Sequence, residues 1–140
     1  KYLVSVNHSN FWNELFKYFG NTALELYKAL SKKDFILFKS IINKSRLSKP
    51  EKIFWNELIT IKGNKEAIAH IKQSGRLKNK LSKVTSCFEK INSLFGDSVQ
   101  IDLSLTSDVD YYTGIYFEAI TPYLGRNLGS GGRYDQLISF

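Results

Sequence analysis

Apolar and polar positions divide the 140-residue chain into two kinds of segment. Between Val99 and Leu105 they alternate. Val99, Ile101, Leu103 and Leu105 fall on one side, and Gln100, Asp102 and Ser104 on the other. A period of two predicts a half-buried strand. Tyr112–Ile120 is rich in β-branched and aromatic residues, with Ile115, Phe117 and Ala119 alternating with Tyr116, Glu118 and Ile120, and predicts a second strand. Thr121-Pro122 ends it, Gly125-Arg126-Asn127 supplies a turn, and Gly129-Ser130-Gly131-Gly132 runs on extended, its glycines leaving room for a close neighbour. Tyr2–Val6 reads as a further short strand.

Everything between Asn10 and Phe95 has helical spacing instead. Ser9 is placed to cap a helix over Asn10–Phe19, with Phe11, Leu15 and Tyr18-Phe19 as its apolar stripe. Gly20 closes it and Asn21 opens the next, over Thr22–Leu30. Ser31-Lys32-Lys33-Asp34 resembles a capping box opening a helix over Lys32–Asn43, whose face is Phe35, Leu37-Phe38 and Ile41-Ile42. Ser48-Lys49-Pro50-Glu51 is a capping box with proline in the first turn, where its missing N–H costs nothing. Trp55 falls between the apolar pairs of that helix, as core or as packing between blocks. Gly63-Asn64 restarts a short helix through Ala67, Ile68 and Ile71, with His70 on the surface beside that stripe. Leu77, Leu81, Val84, Phe88, Ile91 and Phe95 then recur at steps of three and four and predict a long amphipathic helix. This stripe spans under three heptads, which favours core packing over a coiled coil. The fold class predicted is α+β, with strands at residues 1–7 and 97–140 flanking a helical block at 8–96.

Composition narrows the function. The apolar fraction of 43% can support one domain's core. No apolar run reaches the roughly 18 residues of a membrane-spanning helix, and no signal peptide is evident. Cys87 is the single cysteine. It permits no internal disulfide and no cysteine-based zinc site, and it fits a cytoplasmic location. Residues 1–92 hold 18 Lys/Arg against 7 Asp/Glu, while residues 93–140 hold 2 against 6. A basic helical block is thus joined to an acidic strand module. The lysines are scattered, without an arginine cluster or an aromatic platform, so they read as a solvated helix surface and not as a nucleic-acid site. The chain lacks methionine altogether, and it reads as a piece of a longer protein.

Candidate chemistry is confined to the acidic module. A tyrosine gives a pocket an apolar ring and a hydroxyl that donates or accepts. Strand alternation sends Tyr111 and Tyr112 to opposite faces, so one can line a pocket while the other packs behind it. Glu118, six residues after Tyr112, falls on the same face of a regular strand. A phenol and a carboxylate together suit a small ligand with donors, such as an amine or an imidazole; the alternative is that these rings are core. Gly129-Ser130-Gly131-Gly132-Arg133 could hold a phosphate through backbone amides, but it does not open a helix. His8, at a strand end, is read as satisfying a loop hydrogen bond, with ligand contact as the lesser alternative.

Two short motifs stand about twenty residues apart. Asp110-Tyr111-Tyr112-Thr113-Gly114 leads to Phe117-Glu118, and Leu124-Gly125-Arg126-Asn127-Leu128 leads to Gly131-Gly132-Arg133-Tyr134-Asp135. Together they resemble the two histidine-recognition signatures of histidyl-tRNA synthetases. The resemblance is closer to a non-catalytic relative, the regulatory subunit of ATP phosphoribosyltransferase, which carries Thr-Gly after the tyrosine pair where synthetases more often have Asn-Arg. The chain departs from the synthetase signature at Ser107, where synthetases carry an arginine that stabilises charge as the adenylate forms. Serine supplies no fixed positive charge, and Asp108 adds negative charge nearby.

What the resemblance implies is part of a class II aminoacyl-tRNA synthetase-like antiparallel sheet with an inserted helical block. It implies a histidine pocket formed by Tyr111, Tyr112 and Glu118. Gly131 and Gly132 would admit close approach to the ligand, and Arg133 and Tyr134 would brace it. No catalytic residue, metal or cofactor is implied. The expected role is regulation of the first step of histidine biosynthesis: binding histidine as effector, and pairing with a short-form ATP phosphoribosyltransferase catalytic subunit as a hetero-oligomer and homodimer. The alternative is a fragment of a histidyl-tRNA synthetase that aminoacylates with ATP.

Overall fold

The computed structural model describes residues 2–61, 63–75, 77–107, 112–123 and 126–133. Among the described residues, the chain enters along β1 (Leu3–His8) and passes through six helices: α1 (Ser9–Phe19), α2 (Thr22–Ser31), α3 (Phe35–Lys44), α4 (Lys49–Leu58), α5 (Asn64–Lys72) and α6 (Ser82–Phe95). A single 3₁₀ turn at Gly96–Ser98 returns it to β2 (Val99–Ile101), then β3 (Ile115–Thr121) and β4 (Arg126–Gly132). The sheet order is β2-β1-β3-β4. The α+β class is as expected, with one difference in the sheet. β1 and β2 run parallel, whereas β1–β3 and β3–β4 are antiparallel. Parallel neighbours need a long crossover, and the helical block between β1 and β2 is that crossover.

Alternation along the strands gives the sheet two unlike faces. Val4 and Val6 pair with Val99 and Ile101 and join the helices in one core, with Phe11, Leu26, Phe38, Ile42, Trp55 and Phe88 among its buried members. The opposite face carries a polar row across all four strands: Gln100 on β2 is level with Ser5 on β1, Ser5 with Glu118 on β3, and Glu118 with Ser130 on β4. Trp55 is core. Its ring lies 4.9 Å from that of Phe19, 5.1 Å from Phe54 and 5.5 Å from Tyr18.

The helix boundaries follow the predicted patterns with four corrections. His8, not Ser9, caps α1, its Nδ1 accepting the Asn10 N–H at 3.1 Å. Asp34, not Ser31, caps α3, its Oδ1 accepting the Leu37 N–H at 3.0 Å. Ser31 remains in α2, where its hydroxyl bonds the Tyr27 carbonyl at 3.0 Å. The long stripe starts as turns, so that Leu77 and Leu81 are buried ahead of α6 while Phe95 at its end is exposed. His70, expected at the surface, is half-buried. Its ring stacks on Phe54 at 4.5 Å and nearly parallel, which spends its apolar body on a neighbour. The Ser48 capping box forms as predicted, with the Ser48 N–H donating to Glu51 Oε2 at 2.9 Å and the Glu51 N–H to Ser48 Oγ at 3.4 Å. In the strands, Arg126 and Asn127 belong to β4 and not to a turn. β2 stops at Ile101, because Asp102 accepts the Ser104 and Leu105 N–H groups in a turn of its own.

One contact closes the free edge of the sheet. Asn64, the first residue of α5, donates from Nδ2 to the Val99 carbonyl at 2.9 Å and accepts the Ile101 N–H at 2.8 Å. Its amide thereby occupies the place of a neighbouring strand. Ile101 is fully buried, so losing the acceptor leaves a dry N–H unsatisfied. Asn64→Ala is expected to lower stability by about 2 kcal/mol, measured as a lower urea midpoint with an unchanged slope.

Candidate functional site

The sheet's polar face is the floor of a cavity of about 720 Å³. Ser5, Gln100, Glu118 and Ser130 line it from below, Asp102 closes one side, and Tyr112 and Tyr116 stand at one end. A smaller cavity of about 410 Å³ lies beyond the tyrosines, against Asn10, Trp12, Phe16 and Tyr27. Tyr112, Tyr116 and Ser107 border both. A third cleft, of about 680 Å³, lies at the far end of α1, with Lys17, Arg46 and Lys80 about it. It has no part in the sheet face.

The end wall is built by long-range bonds to the segment that follows β2. Asn7 is fully buried; its Nδ2 donates to the Leu105 carbonyl at 3.0 Å and to that of Leu103 at 3.3 Å. The Leu105 carbonyl also accepts from Tyr116 Oη at 2.6 Å and from Trp12 Nε1 at 3.3 Å. Tyr27 Oη donates to the Ser107 carbonyl at 2.7 Å and accepts the Ser107 N–H at 3.0 Å. Helices α1 and α2 therefore fix where Ser107 sits. Ser107 is held on the wall of both cavities. Burial, with smaller contributions from Tyr27 and Asp102, pushes the Tyr116 phenol well above the usual range, so this hydroxyl stays a neutral donor.

The seven residues singled out from the sequence separate into three groups. Tyr112 and Glu118 line the same cavity, and Gly132 belongs to the same face, paired with Tyr116. A Cβ on Gly132 would lie 2.7 Å from the Tyr112 ring. The glycine makes room for the tyrosine, and through it for the cavity's shape. Tyr112 and Tyr116 stack with their centroids 6.2 Å apart. Gly131 and Arg133 belong to the opposite face. A Cβ on Gly131 would meet the Phe117 ring at 2.9 Å. Arg133 packs along Gly114, and its charge acts on His8 and Cys87, on the helical side of the sheet. Tyr111 and Tyr134 lie outside the described residues. Glu118 is half-buried, and its carboxylate makes no hydrogen bond or ion pair among the described residues.

Sequence reasoning missed Ser5, Asn7, Tyr116 and Lys33 as cavity or wall residues. Ser5 and Tyr116 each sit on the polar side of a predicted strand, and that signal could have found them. Asn7 and Lys33 act across 96 or more residues or from a helix turn, and no local pattern marks them. Among the described residues no group of three or more His, Cys, Asp or Glu side chains is placed to hold a metal ion. No described helix is long and apolar enough to cross a membrane.

His8 couples the site's frame to pH. Burial lowers its pKa below the ordinary histidine value, and Arg133 lowers it further. As the α1 cap, its Nδ1 must be unprotonated to accept the Asn10 N–H. The folded state therefore binds its proton more weakly than the unfolded chain does. This contribution is full above about pH 6.5 and is lost as pH falls through the lowered folded-state value. His8→Asn, which keeps a side-chain cap, should flatten the decline in stability between about pH 7 and pH 5. The same pH dependence of unfolding free energy in wild type and His8→Asn, measured by urea titration across that range, would show that His8 does not titrate there.

Comparison with known proteins places this geometry. A family model for histidyl-tRNA synthetase matches residues 1–140. The ATP phosphoribosyltransferase regulatory subunit of Carboxydothermus hydrogenoformans is 33% identical over 128 residues, covering 89% of this chain and 38% of that protein. A crystal structure from Bacillus halodurans, described as an ATP phosphoribosyltransferase regulatory subunit/histidyl-tRNA synthetase, superposes with a TM-score of 0.80 at 30% identity, over 98% of this chain and 38% of that one. The ATP phosphoribosyltransferase HisG:HisZ complex of Thermotoga maritima contains the same fold, with a TM-score of 0.62 at 17% identity, over 94% of this chain and 47% of that one. The chain thus spans less than half the length of these relatives. With one family's model covering every residue from the first to the last, the chain belongs to the histidyl-tRNA synthetase family.

Proposed function

We propose that this chain is the histidine-binding part of a non-catalytic regulatory subunit of ATP phosphoribosyltransferase, acting in the cytoplasm at the first step of histidine biosynthesis. The observation that carries the reading is Glu118: a half-buried carboxylate, without a partner among the described residues, that shares one cavity with Tyr112. A desolvated carboxylate is costly to leave unmatched and strengthens any cation placed against it. The ammonium or a ring N–H of histidine is such a group, and the Tyr112 phenol offers the imidazole both a donor and an acceptor. Ser107 on the cavity wall speaks against adenylation, since charge developing there would meet a neutral hydroxyl and no fixed cation. The similarity to relatives named as regulatory subunits supports the same role.

Histidine binding and pairing with a short-form catalytic subunit would share a coupling free energy, each altering the other's affinity by the same factor. Homodimerisation within that hetero-oligomer, and feedback inhibition by histidine, belong to this proposal. The test is reconstitution. The intact protein should restore phosphoribosyl transfer to a short-form catalytic subunit and make it inhibitable by histidine, while showing no histidine-dependent exchange of pyrophosphate into ATP. Exchange without restoration would favour the second reading, an aminoacylating synthetase. The basic helical block is the observation on that side.

A further inference from the structure

Lys33 is set apart by its backbone. It lies between α2 and α3 with φ at 55°, the only residue other than glycine with positive φ among those described. Glycine is favoured at such a left-handed position past a helix end, because a Cβ crowds the next carbonyl. The turn itself rests on main-chain bonds: the Lys33 N–H donates to the Leu30 carbonyl at 2.9 Å and the Asp34 N–H to that of Ala29 at 2.8 Å. A glycine would make both. The lysine side chain is therefore not explained by the turn. Lys33 borders the sheet-face cavity and is the sole cation among its described lining residues, against the carboxylates of Asp102 and Glu118. Its side-chain ammonium makes no hydrogen bond or ion pair with a described residue.

We infer that Lys33 is a specificity-determining residue that receives the carboxylate of an amino-acid ligand in this cavity, the charge that Ser107 cannot meet. The inference rests on the histidine reading above. A zwitterion needs both signs of charge in its site. Glu118 and Asp102 supply the negative end, and Lys33, reaching in from a different element, supplies the positive one. An ammonium on a flexible stem is a point charge suited to holding a carboxylate. It lacks the fixed fork with which an arginine grips two oxygens at once. Lys33 thus restores binding of the ligand's carboxylate without restoring the rigid cation that adenylation uses.

The test is calorimetric titration of the intact protein with L-histidine and with histamine, which keeps the imidazole and the amine but has no carboxylate. Lys33→Gln should weaken L-histidine about five- to tenfold and leave histamine unchanged. Lys33→Gly should show the same loss while raising the melting temperature by about 2 °C, as the left-handed strain is relieved. Equal L-histidine affinity in wild type and Lys33→Gln would overturn the role of Lys33 and leave the pocket standing. An equal loss for both ligands would overturn it too, since the damage would not track the carboxylate. Binding of neither ligand by the wild type would overturn the histidine reading itself, and Lys33's role with it.

Discussion

Gly132→Ala is expected to weaken histidine binding by the intact protein about a hundredfold, with the backbone of β4 unchanged. Gly132 has no positive φ, so alanine fits the strand conformation; only space is at issue. The added methyl would lie 2.7 Å from Cγ and Cδ1 of Tyr112, at the root of the ring and not at its free tip. The whole ring must therefore move, and the wall it shares with both cavities moves with it. Overpacking of this kind costs about 1–3 kcal/mol wherever it is absorbed. Gly131→Ala is the matched control. Its methyl would meet Cε1 and Cζ of Phe117 on the other face. Phe117 borders the cavity as well, but the residue is 41% exposed and its ring can swing outward, so binding should change less than threefold. If the two variants lose affinity equally, the cavity face has been misassigned.

The second large effect concerns Glu118. Glu118→Gln keeps size and shape but removes the charge. Histidine affinity should fall about thirtyfold, the difference between a charge-assisted and a neutral hydrogen bond in a partly dry site. Stability should hold or rise slightly, because a half-buried carboxylate without a described partner is released from its desolvation cost. These opposite signs are diagnostic. A carboxylate serving the fold would lose stability on substitution and leave ligand affinity near its starting value. Calorimetry and thermal unfolding of the same sample read both quantities.

Much of the fold was legible because it is local. The Ser48–Glu51 box, the glycine stop at Gly20, and the alternation that separates Val99 and Ile101 from Gln100 each depend on residues within a few positions of one another. The same alternation revealed the sheet's polar side, and with the paired motifs it pointed to Tyr112 and Glu118. What was not legible depends on partners far along the chain. Asn64 reads as an ordinary helix start, yet its amide completes the edge of β2 some 35 residues later. His8 took the cap from Ser9 because strand pairing with Ile115 fixes its position. Gly131 and Gly132 look alike in sequence, and only the register of β4 on β3 sends them to opposite faces. Lys33 lies within the Ser31–Asp34 run, which reads as a helix start and says nothing of a cavity.

The helical block gains a purpose from these contacts. Tyr27 on α2 and Trp12 on α1 hold the Leu105–Ser107 segment in place, so the block positions the wall between the two cavities. Changes at α1 or α2 are thereby transmitted to the cavity through three hydrogen bonds on one backbone segment. That is a physical route by which a partner bound to the helices could alter ligand affinity.

The most direct measurement is isothermal calorimetry of the intact protein with L-histidine, alone and with the catalytic subunit of ATP phosphoribosyltransferase. A saturable heat with one site per chain, lost in Gly132→Ala and reduced in Glu118→Gln, is the expected result. No saturable heat under either condition would contradict a histidine cradle on this sheet face.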